Sequence, residues 1–472
     1  MKTLIIYVFA LFAFTKTGWT QNIEGSQNQI LSFEEYLGFV KTHHPLMKQA
    51  NLILSTGEAR LLKSRGGFDP KIEVDYDRKK FKETEYFDQL NATFKIPTWY
   101  GIEFKANFEE NTGEFLNPSA TVPDDGLYSA GISFSLAQGF LINERMASLK
   151  KARFFREQTK ADRDLLVNTI LFEASKAYFD WLEATNEQLI YESFLENATT
   201  RLKAVERSVD LGEKAAIDIT ESRITLQTRQ LNLEAAKLKR QKAALIVSTY
   251  LWLNDIPMEI QENVVPVLPE LVTLETSLLL DDISNRAAAL ENHPKILSLE
   301  AKIDQLTIDR SLKLNKLLPK IDLQYNFLSP EYNDINTFNT ANYKAFVNVS
   351  FPLFLRKERG DLKLASIKIQ DANFERVSAS LNIQNKIDAV NAEIQSIATQ
   401  NELINNIVKD YVAMVQAEER KFFMGESSLF LINSREQKLI DARLKENALL
   451  IKQRIATASL YNALGISEPI LN

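Results

Sequence analysis

Pro70-Lys71-Ile72-Glu73-Val74-Asp75-Tyr76-Asp77 and Pro319-Lys320-Ile321-Asp322-Leu323-Gln324-Tyr325-Asn326 are two versions of one segment. Each opens on Pro-Lys-Ile and then alternates. Ile72, Val74 and Tyr76 are apolar between polar neighbours, and so are Ile321, Leu323 and Tyr325. A period of two with one apolar face is a half-buried strand. Twenty-five residues before each segment's proline stands a His-Pro pair, His44-Pro45 or His293-Pro294, which reads as a helix start. The two copies are offset by 249 residues here. Further along, Glu144-Arg145 matches Glu358-Arg359 at an offset of 214. Glu206-Arg207 and Gly212-Glu213 match Glu419-Arg420 and Gly425-Glu426 at 213. Shared landmarks in one order mark a tandem duplication. The fall in offset, from 249 to 214, gives the first copy an insertion of 35 residues after Pro70. We place the first repeat at residues 21–278, with strands within 71–137, and the second at 279–472, with strands within 320–352.

Each repeat reads as helix, strands, very long helix, turn, long helix. A first helix is expected from Ser32 to Arg65, with Ser32 and Glu35 spaced as a capping box. Returning strands alternate through Ala130, Ile132, Phe134 and Leu136, and through Ala345, Val347, Val349 and Phe351. The insertion adds two candidates, Leu90 to Ile96 and Ile102 to Phe108, so the chain carries four strands or six. From Ile142 to Asp210 and from Arg356 to Phe423 there is no proline and almost no glycine. Either segment would be about 100 Å long as an unbroken helix. The second has a heptad seam: Ile383, Ile387, Val390, Ile394, Ile397, Asn401, Ile404, Val408, Tyr411 and Val415. So narrow a stripe suits a helix with few neighbours and a wet circumference. Leu166, Ile170, Ala174, Ala177 and Trp181 repeat that spacing in the first copy. Gly212 and Gly425 end the two long helices, which then turn back as hairpins with tips near 212 and 425.

Composition narrows the function. The 472 residues are 45% hydrophobic and 25% charged, with 62 acidic and 56 basic side chains, which gives no reason to expect nucleic acid as a partner. No cysteine is present, which excludes a disulfide framework, a thiolate metal site and a cysteine nucleophile. His43 and His44 are adjacent and diverge on a helix, and no phosphate loop, serine-hydrolase or zinc-protease motif occurs. We therefore expect no catalytic residues, no cofactor and no metal. Lys2, the apolar run Leu4 to Phe14 and a small-residue exit near Thr20 read as a secretory signal peptide over residues 1–20. No later apolar run is long enough for a spanning helix, so any membrane entry must use strands closed into a barrel. Four to six strands cannot enclose a water channel, so several copies would share one barrel, with the hairpins forming a tube below it.

With its signal peptide, duplication, paired strands and tip glycines, the chain resembles the TolC family of outer-membrane efflux proteins. The resemblance implies an α+β, mostly α fold: long helical hairpins forming a periplasmic barrel, and strands contributing to a shared transmembrane β-barrel. It implies a homotrimer in the outer membrane of a Gram-negative bacterium, touching outer-membrane lipid. A periplasmic adaptor and an inner-membrane pump of RND or ABC type would be its partners, in efflux or type I secretion. A secreted or periplasmic coiled-coil adhesin is the alternative; it leaves the amphipathic strands unexplained.

The resemblance also points to site residues. Family members often narrow the periplasmic mouth with acidic residues just after a tip glycine. Asp218 and Glu221 lie six and nine positions after Gly212, and Leu431 and Ser434 hold those positions after Gly425. The best-known members carry the carboxylates on the second hairpin, so this sequence departs there. Phe422, Phe423, Met424, Leu429, Phe430 and Leu431 crowd the second tip; packing between hairpins weighs above gating for them. Asp218 reads equally as a charge favourable to a helix N-terminus. Leu211, Gly212, Glu213, Met424, Gly425 and Glu426 would meet the adaptor.

Overall fold

A computed structural model of the protein describes residues 29–280 and 290–466, so the signal segment expected over 1–20 lies outside the described residues. After β1 (Gln29–Leu31), Ser32 caps α1 (Phe33–His43), its hydroxyl accepting the Glu35 N–H at 3.2 Å. The single helix expected over 32–65 is two. α1 stops at His43 and α2 runs Pro45–Arg65. Between them His44 is extended, with ψ 132°, because the residue before a proline is pushed out of the helical region.

Six strands then form one antiparallel sheet: β2 (Lys71–Phe81), β3 (Thr84–Pro97), β4 (Ile102–Thr112) and β5 (Leu127–Ala137) from the first half, β9 (Lys320–Ser329) and β10 (Tyr343–Ser350) from the second. Their order is β10-β9-β5-β4-β3-β2. Both extra candidates in the insertion are strands. Register keeps the faces apart: Ile72, Phe94, Ala106, Ala130, Phe327 and Tyr343 lie abreast across all six strands. The neighbouring row holds Glu73, Thr93, Asn107 and Ser129 and turns apolar only at Leu328 of β9. The halves join where β5 pairs with β9. There Gly131 leaves no room for a side chain: a Cβ would sit 2.1 Å from the Tyr325 carbonyl.

The long helices follow the strands. α3 (Glu144–Asp210) has 67 residues and turns into α4 (Ala216–Ser248). β6 (Trp252–Leu253), β7 (Ile256–Pro257), β8 (Val264–Pro266) and α5 (Leu271–Ser277) lead on to α6 (Pro294–Asn315). After β10, α7 (Arg356–Phe423) has 68 residues and turns into α8 (Leu429–Leu464). Near the sheet the helices pack in the order α2, α3, α6, α7; towards the turns the order is α4, α3, α8, α7. The main core lies midway, where Phe33 of α1 stacks on Phe179 of α3 and meets Tyr178 edge-on, Tyr36 lies against Tyr178, and Tyr178 meets Trp181 edge-on. The α7 heptad seam is inside: Ile387, Val390, Ile397, Ile404, Val408 and Val415 are buried. Its polar member Asn401 donates to Gln453 Oε1 of α8 at 3.1 Å. No described helix is long and apolar enough to cross a membrane.

Candidate functional site at the helical turns

Both hairpin turns use one backbone device. Gly212 has φ +75° and Gly425 φ +79°, left-handed conformations that glycine adopts without a Cβ penalty. The Gly212 N–H donates to Val209 O at 2.9 Å and the Glu213 N–H to Ser208 O at 2.9 Å. In the second turn the Gly425 N–H donates to Phe422 O at 3.1 Å and the Glu426 N–H to Lys421 O at 2.9 Å. This is the Schellman arrangement, which satisfies the last carbonyls of a helix. Leu211 and Met424, one residue earlier, are exposed, as are Glu213 and Glu426.

The restarts differ. α8 begins on Ser428, whose hydroxyl accepts the Leu431 N–H at 3.3 Å. α4 begins on Ala215, which has no side-chain cap, and Asp218 is the acidic residue of its first turn. A carboxylate there faces the positive end of the helix dipole. Asp218 is half-buried, Leu431 exposed and Ser434 half-buried. Glu221 faces the other hairpin, its Oε1 accepting from Asn433 Nδ2 at 3.2 Å. Among the described residues no hydrogen bond or ion pair joins Asp218, Leu431 and Ser434 to one another. The Lys214 ammonium lies 3.8 Å over the Phe422 ring and links the two turns directly.

Above the turns sits an ionic knot that sequence reading missed. Glu436 of α8 is 1% exposed. Arg201 of α3 meets it with two nitrogens, at 3.0 and 3.1 Å, and Arg229 of α4 lies at 3.6 Å. Arg201 also reaches Glu419 of α7 at 3.3 Å, and Arg229 donates to Gln437 Oε1 at 2.6 Å. Burial pushes the Arg229 guanidinium below its ordinary value, and the Glu436 carboxylate opposes that shift. All four helices contribute one charge. The available signal was Glu436 itself, which occupies a stripe position in Leu429, Ile432, Glu436, Leu439. No group of three or more His, Asp or Glu among the described residues could hold a metal ion.

The fold, long helical hairpins joined to an antiparallel sheet, is shared with solved outer membrane channels. The chain is similar to the Campylobacter jejuni CmeC outer membrane channel, with a TM-score of 0.66 and 13% identity over 91% of this chain and 85% of that one. It is similar to the open state of the Neisseria gonorrhoeae MtrE outer membrane channel, with a TM-score of 0.66 and 14% identity over 92% and 88%. The Vibrio cholerae outer membrane protein VceC gives a TM-score of 0.64 and 12% identity over 91% and 95%. Residues 286–466 match the family described as Outer membrane efflux protein, which includes α6 to α8 and both second-half strands. No curated protein sequence matches the chain.

Proposed function

We propose that the protein is the exit duct of a tripartite efflux or type I secretion system. It would be a passive homotrimeric channel in the outer membrane of a Gram-negative bacterium. The observation that carries this reading is that every level of the molecule ends in two unlike, unsatisfied edges. In the sheet these are β2 and β10, every residue of which is exposed. Near the sheet they are α2 and α7, and towards the turns α4 and α7. α4 turns outward an apolar row spaced by seven, Ile217, Ile224, Leu231, Leu238 and Leu245, each 49% to 71% exposed. α7 exposes Leu403, Ile407 and Met414. A first-half edge that mates with a second-half edge makes a head-to-tail contact, and such contacts close into rings. Closure would bury both helix seams and leave no open strand edge in lipid.

In this reading residues 1–20 are removed on export, and the division into repeats 21–278 and 279–472 is that of the duplication. The sheet spans the outer membrane and the helices reach into the periplasm. Leu211, Gly212, Glu213, Met424, Gly425 and Glu426 meet the periplasmic adaptor, behind which an RND or ABC pump supplies the energy. Asp218, Glu221, Leu431 and Ser434 line the mouth. The departure from second-hairpin carboxylates would leave Asp218 and Glu221 as its charges. Two measurements test this. Membrane fractionation with heat-modifiable gel mobility should give an outer-membrane trimer; a soluble periplasmic monomer would end the proposal. In planar bilayers Asp218→Lys should alter conductance and cation preference, and unchanged values would remove Asp218 from the mouth.

A further inference from the structure

We propose that three copies close a barrel of eighteen strands, with β2 of one copy paired to β10 of the next and Lys71 opposite Ser350. This deepens the trimer reading above and rests on it. The first observation is continuity. The β3–β4 ladder runs without a shift, the β2–β3 ladder holds one register from Lys71 to Lys79 and shifts only at Lys79/Lys80, and the apolar row from Ile72 to Tyr343 runs unbroken from one edge to the other. The hairpin formed by β2 and β3 is therefore wall. Direction agrees: β2 leaves the helices and β10 returns to them, so the new pair is antiparallel like every other in the sheet.

Register comes from the junction already present inside the chain. There the Pro-Lys-Ile strand β9 starts with Lys320 opposite Ala137, the last residue of β5. β2 starts with the same Pro-Lys-Ile, so its Lys71 belongs opposite the last residue of β10, Ser350. That register sets Ile72 against Val349, Val74 against Val347 and Tyr76 against Ala345 on the apolar face. On the other face it sets Glu73 against Asn348 and Asp77 against Lys344. A slip of one residue would mix the faces.

The stagger then fits a closed barrel. Lys71, Lys95, Lys105, Gly131, Asn326 and Lys344 lie abreast across the sheet. Lys344 is six residues short of Ser350, so each six-stranded copy advances the register by six. Three copies give a shear of about 18 for about 18 strands. A ratio of one is that of the eight-stranded barrel with shear 8, whose strands tilt by about 36°. Closed transmembrane barrels tilt their strands by about that angle. Diameter rises roughly in proportion to strand number, so the lumen would be about 1.5 times as wide as that of a twelve-stranded wall.

The cysteine-free chain makes the test direct. The double variants Glu73→Cys/Asn348→Cys and Val74→Cys/Val347→Cys, purified as trimers under reducing conditions and then oxidised, should each give covalent trimers on denaturing gels. The double variant Lys105→Cys/Asn348→Cys should not link. If it links and the first two do not, β4 is the true edge, and the eighteen-stranded wall is overturned while the trimer stands. Native mass spectrometry showing trimers in which no pair links also overturns the proposed pairing. A monomer by native mass would instead remove the reading beneath it.

Discussion

The two hairpin turns have almost the same backbone and different surroundings. φ at the glycine differs by only a few degrees, from +75° to +79°, and the same two N–H groups close each turn. Yet one hairpin restarts on an uncapped alanine with Asp218 behind it, and the other on a serine cap followed by Leu429, Phe430 and Leu431. The ionic knot above them is divided the same way. Both cations, Arg201 and Arg229, come from the first hairpin, and both anions, Glu419 and Glu436, from the second. At this contact the two hairpins share their backbone devices and present opposite charges to each other.

The largest expected effect breaks that division. Glu436→Ala leaves Arg229 and Arg201 facing each other in a buried site. Breaking a buried pair from one side costs about 3 to 5 kcal/mol, because the remaining charge has no water to return to. Glu419 is 39% exposed on its side chain, and Glu419→Ala should cost less than about 1 kcal/mol. Thermal unfolding of the purified protein, followed by helical circular dichroism, measures both. Equal losses would show that burial does not set the strength of the knot.

A second comparison concerns the His-Pro helix starts. Nδ1 of His44 accepts the Leu46 N–H at 3.2 Å, and Nδ1 of His293 accepts the Lys295 N–H at 3.1 Å. Each ring thus caps its helix as an acceptor, which needs an unprotonated Nδ1, and proline fills the first helical position, where no N–H is needed. Burial, reinforced by Lys386, lowers His293 from 6.5 to about 4, although a hydrogen bond to the Ala463 backbone opposes it. Burial lowers His44 too, and the Thr249 carbonyl opposes the shift. The folded state therefore prefers neutral rings. Its full stability is present above pH 6.5. As pH falls towards 4 the unfolded chain binds the proton first and stability drops, by about 3 kcal/mol for His293. His293→Asn, which keeps an N-cap acceptor, should flatten that slope. An unchanged slope between pH 7 and 4 would assign it to other groups.

What the sequence made legible follows from the range of each interaction. The α7 seam could be read because steps of three and four are local, and even its exception, Asn401, found a polar partner across the seam. The strands could be read from alternation, and the turns from Gly212 and Gly425. The start of α2 is legible in His44-Pro45; what the expected helix over 32–65 lacks is the stop of α1 at His43, which follows from the proline's demand on its predecessor. The knot was invisible for another reason. Arg201 and Glu436 are 235 residues apart, and no local pattern names a partner at that distance. At the candidate mouth the positions after each glycine are legible from spacing, but the pairing of Glu221 with Asn433 depends on how the hairpins lie side by side.

The smallest effect sharpens the opening comparison. Gly212→Ala and Gly425→Ala each add a methyl group that meets nothing within 4 Å, so the penalty is the backbone conformation alone. That should be about 1 kcal/mol at each turn, equal at both and additive in the double variant, since the residues are independent. Gly465 is the control. It is also left-handed, at φ +64°, but there a Cβ would lie 2.7 Å from His293 Nε2, so Gly465→Ala adds a clash and should cost more than either turn. Unfolding midpoints of the three single variants decide the matter. An unequal loss at Gly212 and Gly425 would mean that one turn is pressed against a neighbouring copy, and the turn with the larger loss would be the one that faces it.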